Sequence, residues 1–82
     1  MNNINLSSLL EGESGTVAEL YNTGDMRRRL MDIGLIKGTH ITCLHKSPTG
    51  DPTAYLIRGA VIALRKKDSE KILILNSQPN TP

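Results

Sequence analysis

Hydrophobic and polar positions alternate over short stretches of the chain, and glycines divide these stretches from one another. Short alternating segments between turn residues are typical of a small β-barrel, because each segment buries one face of a strand. The sequence predicts strands at Thr16–Tyr21, Thr39–Lys46, Thr53–Arg58, Ala60–Arg65 and Ile72–Leu75. The Leu6–Leu10 segment is too short for a stable helix and is expected to form one turn.

Alternation along the strands assigns residues to two faces of the sheet. The candidate core residues are Ile41, Cys43, Tyr55, Ile57, Ile72 and Ile74. If these point inward, four leucines point outward: Leu44, Leu56, Leu73 and Leu75. A contiguous patch of them would mark an interface, to a second copy or to another protein. Scattered leucines, or leucines covered by the Leu6–Leu10 turn, would be ordinary for a small protein. In Thr16–Tyr21 each face carries something apolar, so its buried face stays open.

One segment has helical periodicity, Gly24–Ile33. Its apolar residues recur at i, i+4 and i+7, the spacing of one helical face: Met26, Leu30 and Ile33. Thr23 or Asp25 can cap its N-terminus. Gly34 follows its last turn, where a left-handed residue favours glycine. A helix of this length needs packing to persist in water, so we expect it to close one end of a barrel.

Composition narrows the classes of function. The chain has 82 residues and a net charge of +2, with no Trp or Phe and two Tyr. We therefore expect a single domain, no enzymatic activity and no nucleic-acid binding, since nucleic-acid modules are usually more basic and single-strand binders stack bases on several aromatic rings. No apolar run is long enough for a membrane span, and no signal peptide is visible, which predicts a cytoplasmic protein without membrane insertion.

Two residues are candidates for binding a transition metal. Cys43 is the single cysteine, which excludes an internal disulfide. Regular alternation would place Cys43 and His45 on the same face of a strand, and both residue types are ligands of Fe or Zn. A complete site would need a further ligand, for example Asp51 or a residue of another chain. The alternative reading is that Cys43 is a small core residue, with His45 at the rim of the barrel.

Three stretches resemble the FeoA family of bacterial ferrous iron uptake. They are RRRLMDIGLIKGTHI (Arg27–Ile41), GDPTAYLIRG (Gly50–Gly59) and AVIALRKKDSEKILIL (Ala60–Leu75), in that order. The resemblance covers Leu6 to Leu75, and similar domains form the C-terminal part of some metal-dependent repressors. It implies an SH3-like barrel of about five strands with one inserted short helix. It also implies a cytoplasmic accessory role beside FeoB, a membrane iron transporter.

The sequence thus predicts a mainly β FeoA-like domain over residues 1–75 and a disordered tail over 76–82. We expect it to bind the cytoplasmic side of an FeoB-type transporter, or a second copy of itself, through protein contact. The candidate contact residues are Leu44, Leu56, Leu73, Leu75, Met31, Arg27 and Arg28. The alternative function is a metal-responsive regulatory domain with Cys43 and His45 as ligands.

Overall fold

A computed structural model describes residues 3–76 of the chain. Its strands are β1 (Asn3–Asn5), β2 (Ser14–Leu20), β3 (His40–Lys46), β4 (Thr53–Ile57), β5 (Ala60–Leu64) and β6 (Ile72–Asn76). The remaining elements are a 3₁₀ turn at Leu6–Ser8 and two helices, α1 (Gly24–Asp32) and α2 (Lys66–Ser69). All six strands belong to one antiparallel sheet, in the order β1-β6-β2-β3-β4-β5.

The five predicted strands and the predicted helix are all present. Strand β1 was missed, because three residues are too few to show an alternating pattern. The charged segment after β5 contains the short helix α2, which the sequence pattern did not predict. The predicted tail begins one residue too early, since Asn76 is the last residue of β6 and pairs with Gly15. Residues 77–82 lie outside the described part of the chain.

A single apolar cluster fills the inner face of the sheet. All six residues predicted to point inward are buried: Ile41, Cys43, Tyr55, Ile57, Ile72 and Ile74. The N-terminal turn adds Leu6 and Leu9, which are fully buried. These two side chains enter the core, so the turn contributes to the hydrophobic interior of the domain.

Helix α1 packs against this cluster through the face that its spacing predicts. Leu30 is buried, and Met26 and Ile33 are partly buried against the core. The helix ends in a Schellman motif, in which the Gly34 N–H donates to the Met31 carbonyl at 3.0 Å and the Leu35 N–H to the Leu30 carbonyl at 2.9 Å. Gly34 has a φ of 92°, which explains the glycine there.

Strand β2 contains a bulge, and this bulge explains which of its residues are buried. Its register against β6 shifts between Val17 and Glu19. An extra residue in one strand reverses the alternation beyond it. Val17 and Leu20 are therefore both buried, although regular alternation assigns them to opposite faces.

Candidate functional site

Three of the four outward-pointing leucines are exposed, and the fourth is half-buried. The exposed fractions are 40% for Leu44, 38% for Leu56 and 37% for Leu75. Leu73 is the half-buried one. The prediction that these leucines lie on the outer face is confirmed for the exposed three.

The leucines form two groups and do not make one contiguous patch, which answers the question that the alternation leaves open. Strands β2 and β3 lie between β6, which carries Leu75, and β4, which carries Leu56. Three strand spacings amount to about 14 Å. The outer positions of β2 and β3 between them are polar: Ser14, Thr16, His40 and Thr42. The Ser14 and Thr42 hydroxyls are hydrogen-bonded to each other at 2.8 Å.

The first group is centred on Leu56, and we call it the Leu56 patch: Leu44, Leu56 and Val61. Leu56 pairs with Val61 of β5, whose side chain is 65% exposed. Leu44 is the extra residue of β3 between Cys43, which pairs with Tyr55, and His45, which pairs with Ala54 on the β4 strand of Leu56. The second group, Leu73 and Leu75, lies on β6. Neighbouring apolar side chains that remain exposed are the usual mark of a surface that binds another molecule.

Cys43 and His45 do not share a face, so the geometric basis of the predicted metal pair is wrong. The register of β3 against β4 shifts between these two residues, which is a second bulge. Cys43 is fully buried. The His45 side chain is 72% exposed, and its Nδ1 lies 3.4 Å from Oε2 of Glu11. Asp51, the suggested third ligand, accepts a hydrogen bond from the Lys66 N–H at 2.9 Å.

Burial also makes Cys43 a poor ligand on chemical grounds. Burial raises the pKa of the Cys43 thiol, and this effect is larger than the opposing effect of the Lys46 charge. The thiolate is the form that binds metals, and a raised pKa disfavours it at neutral pH. Across residues 3–76 no group of three or more His, Cys, Asp or Glu side chains is placed to hold a metal ion. Cys43 therefore fits the core-residue reading.

The three candidate contact residues on helix α1 differ in their surroundings. Arg28 and Met31 are exposed. The Arg27 guanidinium is half-buried and donates hydrogen bonds to the Leu20 carbonyl at 2.8 Å and the Asn22 carbonyl at 3.5 Å. Arg27 thus joins the first turns of α1 to the end of β2, a structural role that its sequence position did not reveal.

Replacing Arg27 by methionine should lower the free energy of unfolding by about 1–2 kcal/mol, because the Leu20 carbonyl loses a charged donor. The matched control is Arg28→Met on the next residue, which is exposed and should change stability by less than about 0.5 kcal/mol. Urea unfolding of both variants measures the difference. Equal stability of the two variants would show that the hydrogen bonds of Arg27 contribute nothing.

The sequence did not identify Val61 as an exposed residue or β5 as the last strand of the sheet. The segment Ala60–Leu64 is apolar at every position, so its pattern does not separate the buried from the exposed face. The pairing of β5 with β4 decides this, because it places Val61 opposite the exposed Leu56 and Ile62 opposite the buried Tyr55. The turn before it, Arg58-Gly59, is a signal that could have set the register, since both residues have positive φ and form a two-residue hairpin loop.

The architecture defines the fold class of the domain. The six-stranded antiparallel sheet with a helix packed on its core is an SH3-like fold. None of the described helices is long and apolar enough to cross a membrane. The FeoA domain model matches residues 4–75, and the chain belongs to the FeoA family.

Three known proteins illustrate the relationship. The chain is 30% identical over 80 residues to an Fe(2+) transport protein A/Fe(2+) transporter FeoB fusion protein of Porphyromonas gingivalis, covering 94% of this chain and 10% of the fusion. The solution structure of FeoA from Chlorobium tepidum matches with a TM-score of 0.89 and 29% identity, covering 95% of this chain and 74% of that one. FeoA of Stenotrophomonas maltophilia, described as a prokaryotic SH3 domain protein, matches with a TM-score of 0.77 and 24% identity, covering 87% and 88%. At that identity the last comparison shows the fold alone.

Proposed function

We propose that this protein is a cytoplasmic accessory protein of ferrous iron uptake, which binds an FeoB-type membrane transporter and modulates it by protein contact. The observation that carries the proposal is the fusion relative, in which a region similar to this chain and a FeoB transporter are parts of one polypeptide. Fusion holds two partners at a high effective concentration, which is useful when their separate association is weak. Two chains that act together through contact are suited to such a fusion.

We assign the docking surface to the Leu56 patch. Its three apolar side chains lie on adjacent strands and remain exposed. Arg58 and His40 line the surface next to Leu56, so that polar groups border the apolar centre. An apolar centre with a polar rim is the usual organisation of a protein interface. The exposed helix residues Arg28 and Met31 are candidates for additional contacts.

The double variant Leu44→Asp plus Leu56→Asp should weaken binding to the purified cytoplasmic part of the transporter at least tenfold. Docking would bury two carboxylates where the wild-type protein buries apolar side chains, and unpaired buried charges are costly. Isothermal titration calorimetry measures the two dissociation constants. The matched control is Leu75→Asp, because Leu75 is exposed to the same degree as Leu56, 37% against 38%, and belongs to the other group.

Comparison of the wild-type chain, the double variant and Leu75→Asp distinguishes the possible docking surfaces. Loss of binding in the double variant with normal binding of Leu75→Asp supports docking at the Leu56 patch. Weakening only by Leu75→Asp would assign docking to the second group, Leu73 and Leu75. Absence of any association between the wild-type chain and the transporter at micromolar concentrations would refute the proposed function itself.

A further inference from the structure

A groove separates helix α1 from strand β5. Its volume is about 260 Å³, and side chains from both elements line it. Met26 contributes from the helix, Ile33 from the residue that follows it, and Ile62 and Leu64 from the strand. This groove lies on the inner side of β5, whereas the Leu56 patch lies on the outer face. An apolar groove beside a strand accommodates the side chains of one face of an additional strand.

Strand β5 has an unpaired edge along this groove. It is the last strand of the sheet, and among the described strands only β4 pairs with it. The two-residue loop makes Ile57 and Ala60 a hydrogen-bonded pair, so hydrogen-bonded pairs recur at every second residue from Ala60. The N–H and C=O groups of Val61 and Ala63 therefore point away from β4, toward the free edge. Such an edge is a template for another strand.

The rim of the groove carries an excess of positive charge. Arg29 and Arg65 line it together with a single carboxylate, that of Asp68. Both arginines are exposed, and neither takes part in an ion pair among residues 3–76. A segment with carboxylates complements this rim. A second copy of β5 does not, since Ala60–Leu64 contains no acidic residue.

We infer that β5 binds an extended acidic segment of a partner protein as a seventh strand of the sheet. The backbone of that segment pairs with Val61 and Ala63, its inward apolar side chains enter the groove against α1, and its carboxylates meet Arg29 and Arg65. The inference rests on the proposed function for the identity of the protein that supplies the segment, a cytoplasmic stretch of the transporter. Main-chain pairing provides affinity, while the groove and the rim provide selectivity.

The first test uses a random ten-residue peptide library displayed on phage, which does not require the transporter. Selection against the wild-type chain should enrich peptides with alternating apolar residues and Asp or Glu. Synthetic versions of these peptides should slow hydrogen exchange at the amides of Val61 and Ala63. Failure to enrich any such peptide, or unchanged exchange at both amides, would overturn the inference.

A backbone variant tests the pairing directly. Ala63→Pro removes the N–H at the free edge and leaves the hydrogen bonds between β4 and β5 in place, since edge strands tolerate proline whose missing donor faces outward. The selected peptides should bind this variant at least tenfold more weakly than Ala63→Ser, which retains the N–H. Equal binding by the two variants contradicts strand addition.

Charge reversal provides an assay that does not depend on the folding of Ala63→Pro. Arg29→Glu plus Arg65→Glu should weaken binding of the acidic peptides at least tenfold. Lys67→Glu plus Lys71→Glu, which changes the net charge equally at exposed positions outside the groove, should have less than a threefold effect. If both double variants lost the same affinity for the peptides, the assignment of Arg29 and Arg65 as the residues that contact the carboxylates would be overturned.

Binding measurements with the cytoplasmic part of the transporter then distinguish a failure of this inference from a failure of the proposed function. If the peptides behave as expected and the cytoplasmic part of the transporter fails to bind the wild-type chain, the proposed function fails and strand addition at β5 stands. If the transporter binds wild-type, Ala63→Pro and the Arg29/Arg65 variant equally, strand addition fails and the proposed function stands.

Discussion

Substitution of Leu30 by alanine should lower the free energy of unfolding by about 3 kcal/mol, within the range of about 2–5 kcal/mol for a buried leucine. Leu30 is 1% exposed and is the one buried residue of helix α1. A nine-residue helix does not persist in water without packing, so the loss of this side chain removes much of what holds α1 on the sheet. Urea unfolding followed by circular dichroism measures the change.

The matched control is Met31→Ala on the next residue. Met31 is 46% exposed, and its truncation changes helix propensity to a similar degree without leaving a cavity. We expect this control to differ from wild type by less than about 0.5 kcal/mol. A loss below about 1 kcal/mol for Leu30→Ala would show that α1 is held mainly by contacts other than Leu30, such as the hydrogen bonds of Arg27.

The regular parts of the fold could be predicted from local pattern alone. Leu30 and Gly34 illustrate this, because helical spacing identified the buried side chain and the glycine identified the C-terminus of α1. Both features depend on interactions within a few residues of sequence. The inward face of β4 followed in the same way, since Tyr55 and Ile57 alternate without interruption and are both buried.

The open assignment in β2 and the wrong face of His45 in β3 both occur where the strands are irregular. The bulges after Val17 and Cys43 each insert one residue without a glycine to signal it, and each reverses the alternation that follows. The second of these separates Cys43 from His45 and thereby removes the predicted metal pair. A bulge is fixed by the pairing of two strands distant in sequence, which explains why local alternation does not reveal it.

The candidate binding surface was predicted only in part for a related reason. Exposure of Leu44, Leu56 and Leu75 follows from alternation, whereas their grouping depends on the order of the strands. The sheet places polar positions of β2 and β3 between Leu56 and Leu75, and it places Val61 beside Leu56. Strand order also leaves β5 at the edge, so its outer face belongs to the Leu56 patch and its free edge borders the groove.

Substitution of Gly15 by valine should destabilise the fold by about 3 kcal/mol, at the upper end of what overpacking typically costs. Gly15 is buried between β6 and β3, and a Cβ atom there would lie 2.7 Å from the Leu75 carbonyl oxygen and 3.0 Å from Cδ1 of Ile74. The first contact is with backbone, which does not rotate away, so β2 and β6 must separate and their hydrogen bonds weaken. Thermal and urea unfolding report the loss.

Ala18→Val is the matched control for Gly15→Val, because it also enlarges a side chain on β2. Ala18 is half-buried at the bulge, outside the regular β2–β6 register, and valine is favourable in strands. We expect a change below about 1 kcal/mol for this control. If Gly15→Val were as stable as Ala18→Val, the close approach of β6 to Gly15 would not be required by the fold. A large loss at Gly15 alone means that glycine is needed there because any side chain at this position would collide with the backbone of β6.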